Sequence, residues 1–228
     1  MLSLKLGLSL NSSKYLSSAW SPTDESSLEA WYQKGEGITT VSDKVSAWAD
    51  SSSNNIDMAQ TTAGNRPSYS SGVLTFDNTA TNYLQTSSQI SLSGDFTIGA
   101  KLKPETNVGV VVADLTTSGE FIRFNTTTSL RVRIDSGVNT DIPKDSGNYL
   151  EEAYMVLTRS SNVLTLYWKG VAQSTTPTLS GTADVDGIGA RKPSNNPYDG
   201  EMSEIQIYSS SSAELTANVN ARLASLMP

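Results

Sequence analysis

Residues 153–170, AYMVLTRSSNVLTLYWKG, contain two runs of alternating apolar and polar residues joined by the dipeptide Ser161-Asn162. A period of two is typical of a β-strand that buries one face, because successive side chains point to opposite sides of the pleat. A short polar turn between two such runs predicts an antiparallel hairpin.

Similar runs recur along the rest of the chain, separated by turns rich in Gly, Asn, Ser and Asp. They are LEAWYQ (28–33), KVSAWAD (44–50), VLTFD (73–77), DFTIGAKLK (95–103), EFIRFN (120–125), SLRVRID (129–135) and EMSEIQIYS (201–209). A further run, VGVVVADL (108–115), is continuously apolar and is consistent with a buried strand. Many short strands at this spacing predict an all-β antiparallel sandwich or jelly roll. Trp31, Trp48 and Trp168 lie within strand patterns, and we expect them in the core.

The C-terminal segment is the part of the chain with a helical period. Leu215, Val219, Leu223 and Leu226 fall on one face of a helix predicted at about 212–227, which we expect to pack on the sandwich. Ser211 as N-cap and Glu214 three residues later would form a capping box.

The first ten residues, MLSLKLGLSL, alternate leucine with polar or small residues. The alternation predicts a strand and lacks the continuous apolar stretch of a signal peptide. Residues 11–27 read as a linker with Tyr15, Leu16 and Trp20 as anchors, so the predicted division is an arm and linker (1–27) followed by a sandwich domain (28–228). The proposed docking side chains are Leu2, Leu4, Leu6, Leu8 and Leu10.

Those five leucines should not remain in water, since burial of one leucine is worth roughly 1.5–3 kcal/mol. The strand therefore either joins its own sandwich or docks on another chain by β-augmentation. The linker favours docking on another chain, in trans.

Composition limits the chemistry. The net charge is −7 and the pI about 4.6, which disfavours nucleic acid as a partner. The sequence has no Cys and no His, so a metal site would consist of oxygen ligands, as for Ca²⁺, and catalysis would need carboxylates, Lys or Tyr. No window has the ~20 apolar residues of a membrane span.

Five segments resemble the concanavalin A-like, LamG-type jelly rolls, in the family's order. They are SLEAWYQKGEGITTVSDKVSAWADSSSNN, RPSY, VLTFDNTATNYLQ, DFTIGAKLKP and GIGARKPSNNPYDGEMSEIQIYSSS, and the resemblance covers about residues 28–227. It implies a concanavalin A-like antiparallel β-sandwich, a fold that serves lectins, endo-glucanases and virion proteins. The opening AWYQKGEGIT resembles versions of this domain found in bacteriophage virion proteins.

The paired carboxylates of the family's hydrolases, E-x-D-x-x-E on one strand, are missing from the sequence. Glu201 and Glu204 are three residues apart and should face opposite sides of a strand, and the adjacent Glu151 and Glu152 should also diverge. We therefore predict that the protein is not an enzyme. The glycines of DGIGAR (186–191) are interpreted as turn residues.

Two loops carry the side chains that sugar sites use, an aromatic ring with Asp and Asn arms. The candidates are Asn195, Asn196, Tyr198 and Asp199 in one loop and Asp77, Asn82 and Tyr83 in the other. Their oxygens could bind glycan hydroxyls or a Ca²⁺ ion. The alternative is structural, because Asn, Asp and Gly are also the residues that turns require.

Together these patterns predict a non-enzymatic bacteriophage virion protein, either a capsid decoration or cement protein or a tail or fibre component. Its N-terminal arm would bind other virion proteins, the jelly roll would face outward toward host-surface glycans, and the chain would form a homo-oligomer. The alternative is a soluble lectin-like carbohydrate-binding module unrelated to a virion. Neither hypothesis involves nucleic acid or a membrane.

Overall fold

The computed structural model describes residues 20–117, 119–135, 137–191 and 195–228. Its strands are β1 (Leu28–Tyr32), β2 (Ile38–Val41), β3 (Lys44–Trp48), β4 (Met58–Ala59), β5 (Ser68–Ser70), β6 (Val73–Phe76), β7 (Leu84–Leu92), β8 (Phe96–Pro104), β9 (Gly109–Ala113), β10 (Phe121–Thr126), β11 (Ser129–Arg133), β12 (Thr140–Pro143), β13 (Ala153–Ser160), β14 (Val163–Trp168), β15 (Val171–Ala172), β16 (Ala183–Ile188) and β17 (Gly200–Tyr208). Two 3₁₀ helices span Pro22–Asp24 and Ala63–Asn65, and helix α1 spans Ala213–Ala224. The predicted leucine arm lies outside the described residues.

The strands pack as two antiparallel sheets. Sheet A has the order β15–β14–β13–β8–β17, with β1 and β6 along the free edge of β17. Sheet B has the order β4–β7–β16–β9–β10–β11–β12. Strand β3 pairs with β2, β4 and β5, and β5 pairs with β6, so these strands join the sheets at one side. The predicted all-β sandwich is confirmed.

The hairpin predicted from residues 153–170 is present. Strands β13 and β14 pair from Met155 opposite Trp168 to Ser160 opposite Val163. Ser161 and Asn162 both have positive φ, 50° and 67°, which is the combination of a type I′ turn. This turn matches the twist of the flanking strands and fixes their register.

The core lies between the two sheets and follows the predicted alternation. In β8, Ile98, Ala100 and Leu102 face it from sheet A, and in β10, Ile122 and Phe124 face it from sheet B. Two of the three tryptophans expected in the core lie there, with exposed fractions of 0% for Trp48 and 3% for Trp168. Trp31 is also buried, at 7% exposed, but on the outer face of sheet A, where its Nε1 donates to Glu204.

Helix α1 covers the outer face of sheet A. A Cβ on Gly99 of β8 would lie 2.7 Å from Val219 Cγ1 and 3.0 Å from Leu223 Cδ1, so the glycine allows the helix to approach closely. The predicted cap was wrong by one residue: Ser212 is the N-cap, and its hydroxyl accepts from Leu215 N–H at 3.0 Å. In a run of four serines the docking of the helix, rather than the local sequence, selects the cap.

Trp20, expected as an anchor, packs beside Leu28 against the apolar cluster that α1 forms with sheet A. Its Nε1 donates to Glu25 Oε1 at 2.9 Å. In the described ranges, no helix has both the length and the apolar character needed to cross a membrane.

The interpretation of DGIGAR as a turn was partly wrong, because Asp186, Gly187 and Ile188 end strand β16. A Cβ on Gly187 would lie 2.0 Å from Leu115 Cδ1, so this glycine permits a loop to cross the strand closely. Gly189, at φ +86°, does have turn geometry.

Candidate functional site

The two predicted sugar loops meet in space. Strand β6 pairs with β17, with Phe76 opposite Gly200, so the turn after β6 and the loop before β17 lie at the same end of the sandwich. Asn78 Nδ2 donates to Asp199 Oδ2 at 3.2 Å across them.

The predicted aromatic platform in these loops is wrong, because Tyr198 is completely buried. Its ring meets Phe76 edge-to-face at 5.8 Å, and its hydroxyl donates to the Glu201 carbonyl at 3.2 Å. Burial raises the pKa of Tyr198 well above its usual range. Gly109 packs against the ring, where a Cβ would be 3.0 Å from Tyr198 Cδ2. Tyr198 therefore belongs to the core and cannot stack on a sugar.

Asn82 is also a structural residue, with an exposed fraction of 1%. Its Oδ1 accepts from Asp77 N–H at 2.8 Å and closes the turn. In the other loop, Asn195 and Asn196 use their carbonyls to accept from Arg191 N–H and Val110 N–H at 3.2 and 3.1 Å. The turn interpretation thus explains these three asparagines.

The carboxylates of the loop pair do not assemble a metal centre. Asp77 accepts from Thr79 through the hydroxyl (2.6 Å) and the N–H (2.8 Å), which lowers the pKa of Asp77. Burial raises the pKa of Asp199, and the nearby charges of Glu105 and Asp77 add to the rise. In the part of the chain that the structure describes, no three acidic, His or Cys side chains are placed to hold a metal ion. We therefore assign no calcium site here.

Tyr83, the remaining candidate, lies elsewhere, on a cleft of about 400 Å³ at the β4–β7 edge of sheet B. The ring is partly exposed. The cleft is lined by Asp57, Ala59, Gln60, Thr61, Tyr83, Gln85, Thr86 and Ser87. An aromatic ring among hydroxyl, amide and carboxylate groups is a lining that can contact both the apolar and the polar faces of a small ligand.

The backbone of Tyr83 is held from both sides. Its N–H donates to the Asn65 carbonyl at 3.1 Å, and its carbonyl accepts from Gln60 Nε2 at 3.1 Å. Asp57 is exposed, and its Oδ1 accepts from Asp50 N–H at 2.8 Å. The backbone of Tyr83 is thus held before any ligand arrives, which reduces the entropy cost of binding.

A buried carboxylate supports the floor of this Tyr83 cleft. Asp186 of β16, 3% exposed, accepts from Gln85 Nε2 at 3.0 Å, from Thr116 Oγ1 at 2.6 Å and from Leu115 N–H. These three donors satisfy the buried charge and bind β7, β16 and the turn at 114–117 together.

Glu201 and Glu204 do not face opposite sides of β17, as their spacing had predicted. The register of β17 against β8 shifts between Met202 and Glu204, while Met202 and Ile205 both face the core. This β-bulge adds one residue, so both glutamates lie on the outer face of sheet A.

Glu204 is nevertheless fully engaged within the chain. It is 0% exposed and accepts from Trp31 Nε1 at 3.1 Å and from Arg222 Nε and Nη2, both at 3.0 Å. Gln206 Nε2 also donates to it at 2.8 Å. This carboxylate fastens helix α1 to sheet A.

Sequence reasoning missed one group of side chains, the arginines on the outer face of sheet B. In EFIRFN and SLRVRID the alternation that buries Ile122 and Val132 also turns Arg123, Arg131 and Arg133 outward. The signal was therefore present as one arginine in β10 and two arginines at alternate positions of β11.

The two antiparallel sheets and the helix on sheet A define a concanavalin A-like jelly roll. The model of the family Laminin_G_3, described as the concanavalin A-like lectin/glucanases superfamily, matches residues 77–216, and the chain belongs to this family. Comparison with curated proteins gives no match.

Solved structures with low sequence identity share this fold. Domain 4 of AbnA, a GH43 extracellular arabinanase from Geobacillus stearothermophilus solved with arabinotriose, superposes with a TM-score of 0.56 at 14% identity, over 86% of this chain and 98% of that one. Trypanosoma rangeli sialidase gives a TM-score of 0.50 at 10% identity over 89% of this chain. The chain spans only 33% of the sialidase's length.

Proposed function

We propose that this chain is a carbohydrate-binding domain that holds a neutral glycan in the cleft beside Tyr83. The observation that carries the proposal is the partly exposed Tyr83, whose backbone is held on both sides, in a polar cleft of about 400 Å³. Pockets for small ligands commonly have volumes of about 300–1,000 Å³.

The chemistry of the lining fits a saccharide. The apolar face of a pyranose or furanose ring stacks on Tyr83, while Asp57, Gln85 and Ser87 offer hydrogen-bond partners to its hydroxyls. The arabinanase domain with the same fold was solved in complex with arabinotriose, which makes arabino-oligosaccharides the first ligands to test.

We propose binding without hydrolysis. A retaining glycosidase needs two carboxyl groups about 5–5.5 Å apart and free to react. Glu204 gives both of its oxygens to Trp31 and Arg222, and its neighbour Glu201 lies 3.7 Å from Lys103 Nζ. This arrangement favours structural roles for both glutamates.

The test is isothermal titration of the full chain with arabino-oligosaccharides, followed by Tyr83→Ala. We expect the substitution to weaken binding about tenfold or more, since exposed aromatic anchors dominate such sites. Tyr69→Ala is the matched control, because Tyr69 is another partly exposed tyrosine and does not line the cleft. The proposal fails if a glycan screen of the parent finds no ligand, or if folded Tyr83→Ala binds as the parent does.

We further propose that the domain works as a virion component attached by its N-terminal arm. The alternating leucines at positions 2–10 support this setting, because they would form a strand with one apolar face. Removal of residues 1–19 should leave the jelly roll folded and abolish its co-sedimentation with phage particles from the producing host. Normal incorporation of the shortened chain into particles would show that the N-terminal arm is not the means of attachment.

A further inference from the structure

The outer face of sheet B carries a concentration of arginines. Strands β10 and β11 pair with Arg123 directly opposite Arg131, and with Phe121 opposite Arg133. Neighbouring strands lie only about 4.8 Å apart, so these side chains are close neighbours. Like charges in directly opposite positions destabilise a sheet.

A fourth arginine reaches the same place from the end of β16. The guanidinium carbon of Arg191 lies 4.8 Å from the centre of the Phe121 ring, and that of Arg123 lies 5.4 Å from it. Phe121 therefore holds two guanidinium groups by cation–π contact. Burial lowers the pKa of Arg123, and the charges of Arg131 and Arg191 lower it further.

Of the two arginines that face each other across β10 and β11, only Arg131 is paired with an acid among the described residues. Arg131 forms a two-point contact with Asp141, with Nε–Oδ1 at 2.6 Å and Nη2–Oδ2 at 2.8 Å. Arg123 donates from Nη2 to the amide oxygen of Asn125 at 3.0 Å, and its buried Nε has no partner among the described residues. Arg123 as a whole is partly exposed and has no carboxylate partner among the described residues, so its accessible N–H groups can bind an oxyanion.

We propose that Arg123, Arg131 and Arg191, gathered around Phe121, form a second binding site, for an acidic saccharide that carries carboxylate or sulfate groups. The planar fork of arginine matches such oxyanions in two-point contacts. The patch consists of a few side chains within a chain of net charge −7, so it can contact a short acidic segment of a saccharide but not the extended phosphate backbone of nucleic acid.

This arginine site is separate from the Tyr83 cleft. Strand β16 lies between β7 and β9, and the turn at 114–117 crosses it where Leu115 packs over Gly187. The inference therefore does not rest on the proposed neutral-glycan site.

The experiment measures binding of the full chain to immobilised polygalacturonate, dextran sulfate and unmodified dextran at pH 7 and low salt. We expect binding to an acidic polymer and none to dextran. The double variant Arg123→Gln/Arg131→Gln should lose about tenfold or more in affinity, the effect of losing charge-assisted hydrogen bonds. The tighter of the two acidic polymers identifies the acidic group.

The matched control is Lys44→Gln/Lys103→Gln, which makes the same change in net charge at two exposed or partly exposed lysines outside the arginine site. A second test, Asp141→Asn, removes the carboxylate that competes for Arg131 and should tighten binding about twofold or more. Asp141→Asn also tests the proposal if the double variant Arg123→Gln/Arg131→Gln does not fold.

Three results would overturn the proposal: a parent that binds neither acidic polymer, a folded double variant with the parent's affinity, or an equal loss in the lysine control. Weaker binding by Asp141→Asn would also contradict it. Binding of arabino-oligosaccharides is measured separately in the same buffer. Absence of that binding would contradict only the proposed site at Tyr83.

Discussion

On the outer face of each sheet an arginine lies against an aromatic ring, but the two arginines have different hydrogen-bond partners. On sheet A, Arg222 lies 5.4 Å from the Trp31 ring and donates twice to buried Glu204. On sheet B, Arg123 lies 5.4 Å from the Phe121 ring and donates to a neutral amide. The guanidinium of Arg222 binds an anion of the same chain, Glu204, and thereby holds helix α1 on sheet A. The guanidinium of Arg123 has no carboxylate partner among the described residues, and we infer that a ligand supplies the anion.

The physical basis of this difference is desolvation. Glu204 is 0% exposed, and a buried carboxylate is tolerated only when charge-assisted hydrogen bonds replace its water. The arginines of sheet B are partly exposed, so water can solvate the accessible part of each guanidinium. Four predictions test the contrast.

The largest effect should come from comparing Arg222→Leu with Arg123→Leu. The first substitution leaves Glu204 buried without its cation, and we expect the free energy of unfolding to fall by about 3–5 kcal/mol. The second removes repulsion as well as one cation–π contact, so the change should be about 0.5 kcal/mol or less. Urea denaturation of both variants measures this, and equal losses would show that the two faces do not differ.

The second largest effect should come from Gly99→Ala, on the face of sheet A that helix α1 covers. The new Cβ would lie 2.7 Å from Val219 Cγ1, which forces helix α1 away from β8 at a cost of about 1–3 kcal/mol. Gly94→Ala is the control, because nothing lies within 4 Å of its added Cβ. Thermal unfolding should separate the two alanine variants, and a matching loss in both would refute the close approach.

The helix cap gives a smaller effect. Ser212→Ala removes the acceptor for Leu215 N–H and should destabilise the protein by about 1 kcal/mol. Ser211→Ala removes no cap and should leave the stability unchanged. The opposite ranking in chemical denaturation would restore Ser211 as the N-cap.

The smallest effect concerns an ion cluster at the surface. The hydrogen bond from Lys144 lowers the pKa of Glu151 from 4.5 to about 2, with further help from Trp168 and Lys169. Because the folded-state pKa is the lower one, the stabilisation is complete above pH 4.5 and is lost as the pH falls toward 2. The effect should be small because the carboxylate is 38% exposed and screened by water.

The measurement for Glu151 is the melting temperature of the parent and of Glu151→Gln between pH 5 and about 2. The parent should melt higher at pH 5, and the difference should vanish near the lower limit. A difference that stays constant across this range would mean that the carboxylate does not titrate as described.

Much of the fold could be predicted because it depends on local alternation. The period of two in residues 153–170 gave the hairpin, and the same rule placed Ile98 and Phe124 in the core. Strand β16 was missed because its aspartates and Gly187 resemble a turn. Its polar groups are satisfied by the crossing loop at 114–117, which no local pattern shows.

The candidate site was harder to predict, because composition describes a loop and not its burial. Tyr198 and Asn82 have the residue types of a sugar site and are buried, whereas Tyr83 from the same list lies on a cleft. The spacing of Glu201 and Glu204 predicted that they face opposite sides of β17, and the β-bulge before Glu204 made that prediction wrong. Burial and register depend on contacts between residues far apart in the chain.

The sequence by itself determined the antiparallel sandwich, its hairpin register and the apolar face of the C-terminal helix, since each follows from periodicity within a short segment. Only the tertiary structure decided which polar groups are buried and which remain available. Glu204 is enclosed because helix α1 returns over it and brings Arg222, 18 residues later in the chain, into contact. The sheet-B arginines meet because two strands and a distant loop converge on Phe121. Such electrostatic partners are set by proximity in space, which a linear pattern does not contain.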